Sequence, residues 1–113
     1  MNPTTSCSLR DMADSCQTIL TWCASRSFAE YQVDRLFRRA VEREFEIVGE
    51  ALKRLRETDP AVFEFISHAV SVVGFRNRLV HGYDAIDDAV VWGAIEGHLP
   101  VLTNEINDLL KKR

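Results

Sequence analysis

The chain has 113 residues, of which 46% are hydrophobic, and it carries 14 basic against 17 acidic side chains. These values fit one globular domain spanning residues 1–113 and exclude a largely disordered chain. The net charge of −3 argues against a protein that holds nucleic acid by bulk electrostatic attraction, although it leaves room for a local basic cleft. The N-terminus lacks the apolar core of a signal peptide, and no apolar run is long enough to cross a bilayer. We therefore expect a cytoplasmic protein with no membrane contact.

Apolar residues recur every three or four positions through most of the chain, which predicts helices throughout. The first predicted helix carries its apolar stripe from Leu9 to Cys23 and is broken at residues 25–27. A long second helix is predicted from about Ala29 to Glu57. Its inward-facing residues are expected to be Val33, Phe37, Val41, Phe45, Val48, Leu52 and Leu55.

The third predicted helix begins after Asp59, a suitable cap, with Pro60 in its first turn. It is expected to reach about Val80, and Gly82 just beyond it is a candidate left-handed cap. Its inward-facing residues are predicted to be Phe63, Ile66, Val70 and Val73.

The last helix is predicted from about Asp87 to the end of the chain, with a kink at Pro100, which removes one backbone hydrogen bond. Its stripe comprises Val91, Ile95, Leu99, Leu102, Ile106 and Leu109. The economical architecture is an all-α, up-and-down four-helix bundle. A bundle this small often finishes burying its apolar surface against a second copy, so we expect a homodimer.

The cysteines and two of the histidines are expected to be structural. Cys7, Cys16 and Cys23 form no CxxC pair, and Cys16 and Cys23 lie seven residues apart on one helical face, which favours buried core thiols. His68 and His98 have no acidic or cysteine partner at metal-ligand spacing. We therefore predict neither a metal nor a cofactor.

Residues 76–83, which read RNRLVHGY, concentrate the chemistry of the chain. Arg76 can bind a phosphate and stabilise its developing charge, and a histidine such as His81 can act as general acid or base near neutral pH. Asn77, four residues before His81, can orient the imidazole or the phosphate. Arg76 and His81, however, lie about 140° apart on an ideal helix, so they share a face only if the chain turns after His81.

Two interpretations of this stretch are open. The groups suit RNA cleavage without a metal, in which the ribose 2′-hydroxyl attacks the adjacent phosphate, a reaction that DNA cannot undergo. The alternative is an ordinary helix end, at which a histidine before a glycine interacts favourably with the last carbonyls and the arginines are solvated.

The same stretch resembles the Arg-x4-His-x-Tyr motif of HepT-like toxins in the HEPN superfamily. Residues 47–55, IVGEALKRL, are similar to the family's Ile-Gly-Glu-Ala segment. The resemblance covers nearly the whole chain in helix order and includes Leu99-Pro100 within the last helix. It implies a homodimeric endoribonuclease toxin encoded beside an MntA-like minimal nucleotidyltransferase antitoxin. Two copies of the motif are then expected to meet across the dimer and form the RNA-cleaving cleft.

The resemblance also implies roles for individual residues. Arg76 and His81 are expected to be catalytic, with Asn77 in support. Tyr83 matches the motif tyrosine to which the antitoxin transfers AMP. The added phosphate and adenosine place bulk and negative charge where an RNA phosphate should bind. The alternative for Tyr83 is a half-buried ring that covers the helix turn.

Glu50 lies beside Gly49, a small residue that lets another helix approach. We expect Glu50 to pair with Arg76 or Arg78 and to support the site. The alternative is a surface bridge to Arg54, one helical turn further on.

Basic residues also line the predicted second helix, and they permit two interpretations. Duplicated in a dimer they could guide RNA, or they form a solvated face balanced by neighbouring glutamates. The basic residues are Arg35, Arg38, Arg39, Arg43, Lys53, Arg54 and Arg56, and the glutamates are Glu42, Glu44 and Glu46.

Two further classes of function compete with the nuclease. The first is a non-catalytic helical subunit that docks on a nucleotidyltransferase and presents substrate to it. The second is a purely structural helical dimer, in which alanine at Arg76, Asn77 or His81 has no functional effect.

Overall fold

A computed structural model describes residues 1–82 and 86–112. Within these ranges the chain forms helices and no strand, which confirms the all-α prediction. The helices are α1 (Pro3–Cys23), α2 (Phe28–Val33), α3 (Arg35–Thr58), α4 (Pro60–Glu64), α5 (Ala69–His81) and α6 (Asp88–Lys111).

The four longer helices correspond to the four that the periodicity predicts. Helix α3 packs against both α1 and α5, and α1 also packs against α6, so α3 is the central element that positions α5. The core is built from the predicted stripes, because residues at helical spacing share one face. Tyr31 and Ala51, which lie outside the predicted stripes, are also fully buried. The most deeply buried residues of the stripes are Leu9, Met12, Cys16, Ile19, Val41, Phe45, Val48, Leu52, Leu55, Val91, Leu99, Leu102 and Ile106.

The predicted second helix is in fact two helices, because Asp34 interrupts it. The Asp34 backbone is extended, at φ −110° and ψ 96°, and its side chain accepts a hydrogen bond from the Phe37 N–H as the N-cap of α3. The Arg38 guanidinium donates to the carbonyls of Tyr31 and Gln32 and thereby closes the end of α2. The continuous helix predicted from Ala29 was wrong here.

The same interruption explains a second error. Val33, predicted to face inward, is 85% exposed, whereas Phe37 on the far side of the break is buried. The extended residue between them changes the direction of the chain, so the apolar spacing on one side does not continue on the other.

The predicted third helix is also divided. Asp59 caps α4 as expected, accepting from the Val62 N–H at 3.3 Å, with Pro60 in the first turn. The helix then stops at Glu64, and His68 adopts a left-handed backbone conformation, φ 62°, immediately before α5.

The restart at Ala69 sets which face of α5 is buried. Ala69, Val72 and Val73 point into the core, whereas Val70, predicted to do so, is 70% exposed. At the other end the Gly82 N–H donates to the Arg78 carbonyl and closes the helix. Gly82 has φ −102°, so the left-handed cap predicted there was wrong.

The bounds and the buried face of the last helix agree with their prediction. Asp87 caps α6 by accepting from the Ala89 N–H at 2.9 Å, and the helix continues through Pro100 to Lys111. Among residues 1–82 and 86–112, no helix combines the length and apolar character that crossing a bilayer requires. Cys16 and Cys23 are buried thiols, as predicted.

Candidate active site

Arg76 lies in the middle of the buried face of α5, although it is a charged residue. The buried residues Val72, Val73 and Leu79 surround its position at helical spacing. The Arg76 stem passes directly over Gly49 of α3, where a β-carbon added to the glycine would overlap the Arg76 Cβ and come within 2.5 Å of its Cγ. The glycine therefore provides the space in which the arginine stem packs. This agrees with the expectation that a small residue at this position lets another helix approach.

Two neighbours hold the Arg76 guanidinium. Its Nη2 lies 3.5 Å from Glu50 Oε1, and its Nη1 donates to Asn77 Oδ1 at 3.1 Å. The side chain is only 18% exposed, and within the described part of the chain its buried Nε has no hydrogen-bond partner. Arg76 is therefore a largely desolvated cation whose terminal nitrogens are held by Glu50 and Asn77.

Glu50 joins two guanidinium groups. Its Oε1 lies 3.5 Å from Arg76 and 3.8 Å from Arg43, and Arg43 also pairs with Glu46 at 3.2 Å. The expected contact between Glu50 and Arg76 is thus present. The alternative bridge to Arg54 is not formed, because Arg54 pairs with Asp11 of α1 at 3.1 Å.

His81 is the last residue of α5 and its side chain is exposed, as are those of Asn77 and Arg78. Among the described residues, no ion pair or hydrogen bond holds the His81 or Arg78 side chain. Asn77, Arg78 and His81 lie next to one another on the solvent-facing side, because they are three and four residues apart. Tyr83 lies outside the described residues.

Arg76 and His81 start from different sides of α5. Helix α5 continues to His81, so the two positions remain about 140° apart around its axis. The turn that would place both on one face is therefore absent up to Gly82. One copy presents an exposed imidazole at the end of α5 and a largely buried arginine whose guanidinium reaches Asn77, one turn before it.

The basic residues of α3 are mostly engaged with neighbours. Arg39 donates to both carboxylate oxygens of Glu42 at 3.2 Å, and Arg43 pairs with Glu46. Burial raises the pKa of the Glu42 carboxyl, and the Arg39 charge lowers it in part. These contacts favour the interpretation of a balanced face over that of a free basic stripe.

Two features near the motif were missed by reasoning from the sequence. Arg43 reaches Glu50 as a second cation beside Arg76, and the spacing of seven residues on one helix was the available signal. His68 and His98 stack, with ring centroids 4.6 Å apart and 13° between the ring planes. No sequence signal identified that pair, because the two residues come from different elements.

Comparison with known proteins places the chain in a family. The HepT-like family model, described as ribonuclease HepT-like, matches residues 12–109. The chain belongs to the HepT-like ribonuclease family. The matched range spans α3 and α5 and thus includes Gly49, Glu50 and the whole 76–83 motif.

Individual relatives of this HepT-like chain are distant but cover nearly its full length. "Putative RNase TTE0752" of Caldanaerobacter subterraneus subsp. tengcongensis is 27% identical over 107 residues, covering 92% of each chain. "Probable ribonuclease HepT" of Thermococcus cleftensis is 26% identical over 106 residues, covering 91% of this chain and 93% of the relative. "Putative RNase MJ0127" of Methanocaldococcus jannaschii is 27% identical over 108 residues, covering 91% and 84%. No solved structure matches the HepT-like chain significantly.

Proposed function

We propose that this protein is a cytoplasmic, metal-independent endoribonuclease toxin that acts as a homodimer. Membership of the HepT-like ribonuclease family supports the ribonuclease activity. The assignment of the site rests on Arg76, whose guanidinium is held by Glu50 and Asn77. His81 of the same motif is exposed on the same helix. A purely structural helix end would not require a glycine in α3 to admit an arginine stem.

The proposed reaction divides the work between the two motif residues. His81 accepts the proton of the ribose 2′-hydroxyl, and the 2′-oxygen attacks the adjacent phosphorus. The bond from phosphorus to the 5′-oxygen breaks, and that oxygen takes up a proton from an imidazolium or from water. Arg76 stabilises the charge that develops on the phosphate, with Asn77 and Glu50 supporting its guanidinium. The products are a 2′,3′-cyclic phosphate and a 5′-hydroxyl.

The requirement for two copies follows from the geometry of α5. The backbone positions of Arg76 and His81 lie about 140° apart around α5, and in this proposal a second copy completes the site. We propose that the C-terminal end of α5, where His81 is exposed and the Arg76 guanidinium meets Asn77, contacts its counterpart in a second copy. Arg76 of each protomer then faces His81 of its partner, and a closed two-fold dimer contains two equivalent pairs.

Control of the toxin is assigned to Tyr83, two residues after His81. In this proposal an MntA-like nucleotidyltransferase antitoxin transfers AMP to the Tyr83 hydroxyl. The added phosphate competes with RNA for the arginines of the site, and the adenosine blocks access. His81 and Arg78, which precede Tyr83 in the sequence, are exposed, which fits both access by RNA and access by a partner enzyme.

The test is cleavage of labelled RNA in EDTA by the wild-type chain, shown by mass to carry no AMP, beside His81→Ala purified in the same way. We expect cleavage by the wild type alone, 2′,3′-cyclic phosphate ends, and no cleavage of DNA of the same sequence. Equal cleavage by both proteins would contradict a role for His81. No cleavage by either, together with retained binding of the nucleotidyltransferase, would favour the non-catalytic docking subunit.

A further inference from the structure

A cleft between α5 and α6 lies next to the motif and is not used by the proposed reaction. Helix α5 packs chiefly on α3 and helix α6 on α1, so the two helices stand apart and leave a cavity of about 150 Å³. Its walls are apolar, with Phe45 at the base and Phe75 in edge-to-face contact with it at 5.2 Å. The remaining apolar lining comprises Val72, Val90, Ala94, Leu99 and Leu102.

Three polar side chains stand at the mouth of this cleft: Ser71, Arg78 and His98, all exposed. His98 is held in place by the stacked ring of His68. Arg78 has no ion-pair partner among the described residues, and it lies one turn of α5 before His81. The cleft thus combines flat apolar walls, aromatic rings, hydrogen-bonding groups at the mouth and an uncommitted cation.

We propose that this cleft binds a pyrimidine base of the RNA, with Arg78 on the phosphate attached to it. Bases in single-stranded RNA are recognised by stacking on aromatic side chains and by hydrogen bonds to their polar edges. An apolar cavity of about 150 Å³ accepts a benzene-sized ring, which matches a pyrimidine better than a two-ring purine. This inference rests on the proposed ribonuclease function, because it makes the cleft a base-binding subsite beside His81.

A second apolar cleft on the surface does not have this combination. It lies near Trp22, Leu36 and Phe37, and its arginine, Arg26, is paired with Asp34 at 3.5 Å. The cation there is already committed, and the lining of that cleft, from the end of α1 to the start of α3, includes no residue of the motif. The α5–α6 cleft is therefore the better candidate for RNA binding, because its arginine, Arg78, belongs to the motif and has no ion-pair partner among the described residues.

The test is a titration of the ¹⁵N-labelled chain with uridine 3′-monophosphate, adenosine 3′-monophosphate and inorganic phosphate, followed by NMR. We expect uridine 3′-monophosphate to shift the amide signals of Ser71 and Ala94, and inorganic phosphate to leave them in place. Ala94→Met, which fills the cleft, should weaken uridine nucleotide binding roughly tenfold. Gly97→Ala is the matched control on α6, because nothing lies within 4 Å of the added carbon.

A second variant, Ser71→Val, keeps the proposal testable if Ala94→Met does not fold. Ser71→Val removes the hydroxyl at the mouth without entering the core, and it should weaken binding of the uridine nucleotide while leaving the thermal midpoint unchanged. Equal binding by the wild type and Ala94→Met would overturn the proposal, as would equal shifts with adenosine 3′-monophosphate or with phosphate alone. A change in dimer mass with Ala94→Met, and no nucleotide shifts in the wild type, would assign the cleft to protein contacts instead.

An RNA cleavage assay tests the proposal separately from the NMR titration of binding. In RNA that contains one uridine among purines, we expect cuts next to the uridine, and Ala94→Met should lose this preference while still cleaving. His81→Ala should keep the nucleotide shifts and lose cleavage. Absence of cleavage by the wild type would refute the nuclease, whereas cleavage with unchanged preference in Ala94→Met would refute the base-binding cleft.

Discussion

Gly49 of α3 and Arg76 of α5 occupy the same crossing of the two helices, and the space left by the missing β-carbon is filled by the Arg76 stem. A glycine inside a helix costs about 0.5–1 kcal/mol relative to alanine. Here it lets a cation sit on a buried helix face while its guanidinium reaches Glu50 and Asn77. The candidate site thus depends on packing between helices as well as on the motif itself.

The first prediction concerns this crossing. Gly49→Ala should displace Arg76, because the new carbon overlaps the arginine stem. Displacement of about 1 Å at a catalytic group lowers the rate on the order of a hundredfold, and we expect that loss in kcat/KM for RNA. Gly97→Ala, made at an open position, should retain full activity. Equal kcat/KM for the two variants would show that RNA cleavage does not depend on the position of Arg76 over residue 49.

The second prediction separates Glu50 from its neighbour Glu46. Both carboxylates pair with Arg43, but only Glu50 also reaches Arg76. Glu50→Gln should lower kcat roughly tenfold through looser positioning of Arg76, with little change in KM. Glu46→Gln should leave both constants unchanged. A loss confined to KM, or equal losses in both variants, would argue against a positioning role for Glu50.

The third prediction tests whether the site is shared between protomers. Arg76→Ala and His81→Ala should each be inactive as homodimers. After mixing and exchange of subunits, heterodimers should contain one intact site, so the mixture recovers roughly a quarter of the wild-type rate. Exchange is verified by the mass of differently tagged subunits. Complete exchange without recovery would place the working Arg76 and His81 in the same chain.

The fourth prediction concerns the cysteines and alkaline pH. Burial raises the pKa of Cys16 to about 12 and that of Cys23 to about 11, against the ordinary value of 9.0. Above pH 9 the unfolded chain ionises these thiols while the folded chain does not, so the free energy of unfolding should fall as the pH rises through this window. The thermal midpoint measured from pH 8 to pH 11 should decline accordingly.

Chemical labelling gives an independent check of the same thiols. At pH 8 a thiol reagent should modify the exposed Cys7 rapidly, and Cys16 and Cys23 only after unfolding in guanidinium. Rapid modification of all three in the native protein would contradict the burial on which the pH prediction rests. Cys16→Ala should make the alkaline decline shallower.

The fifth prediction concerns the break between α2 and α3. Asp34→Ala removes the side-chain acceptor for the Phe37 N–H, and loss of such an N-cap costs about 1 kcal/mol. The free energy of unfolding in urea should fall by about that amount, whereas Asp34→Asn, which keeps an acceptor oxygen, should lose much less. An unchanged free energy of unfolding for Asp34→Ala would show that the hydrogen bonds from Arg38 to the Tyr31 and Gln32 carbonyls maintain the break without the cap.

Much of the fold was predictable because helical periodicity is a local property. The spacing of Val91, Ile95 and Leu99 predicted the buried face of α6, and Asp59 marked the start of α4 by its capping chemistry. Asp34 and His68 were missed. An aspartate is tolerated inside a helix as well as at its start, and a histidine carries no strong tendency toward a left-handed backbone.

The sequence by itself determined that this is an all-helical chain with a HepT-like motif, because periodicity, capping and residue types are carried by neighbouring positions. The tertiary structure alone decided that the Arg76 stem packs over Gly49 and that Arg54 joins Asp11 and not Glu50. Such relationships depend on how α3 packs against α1 and α5. The distance between side chains on different helices is set by that packing and by no local pattern.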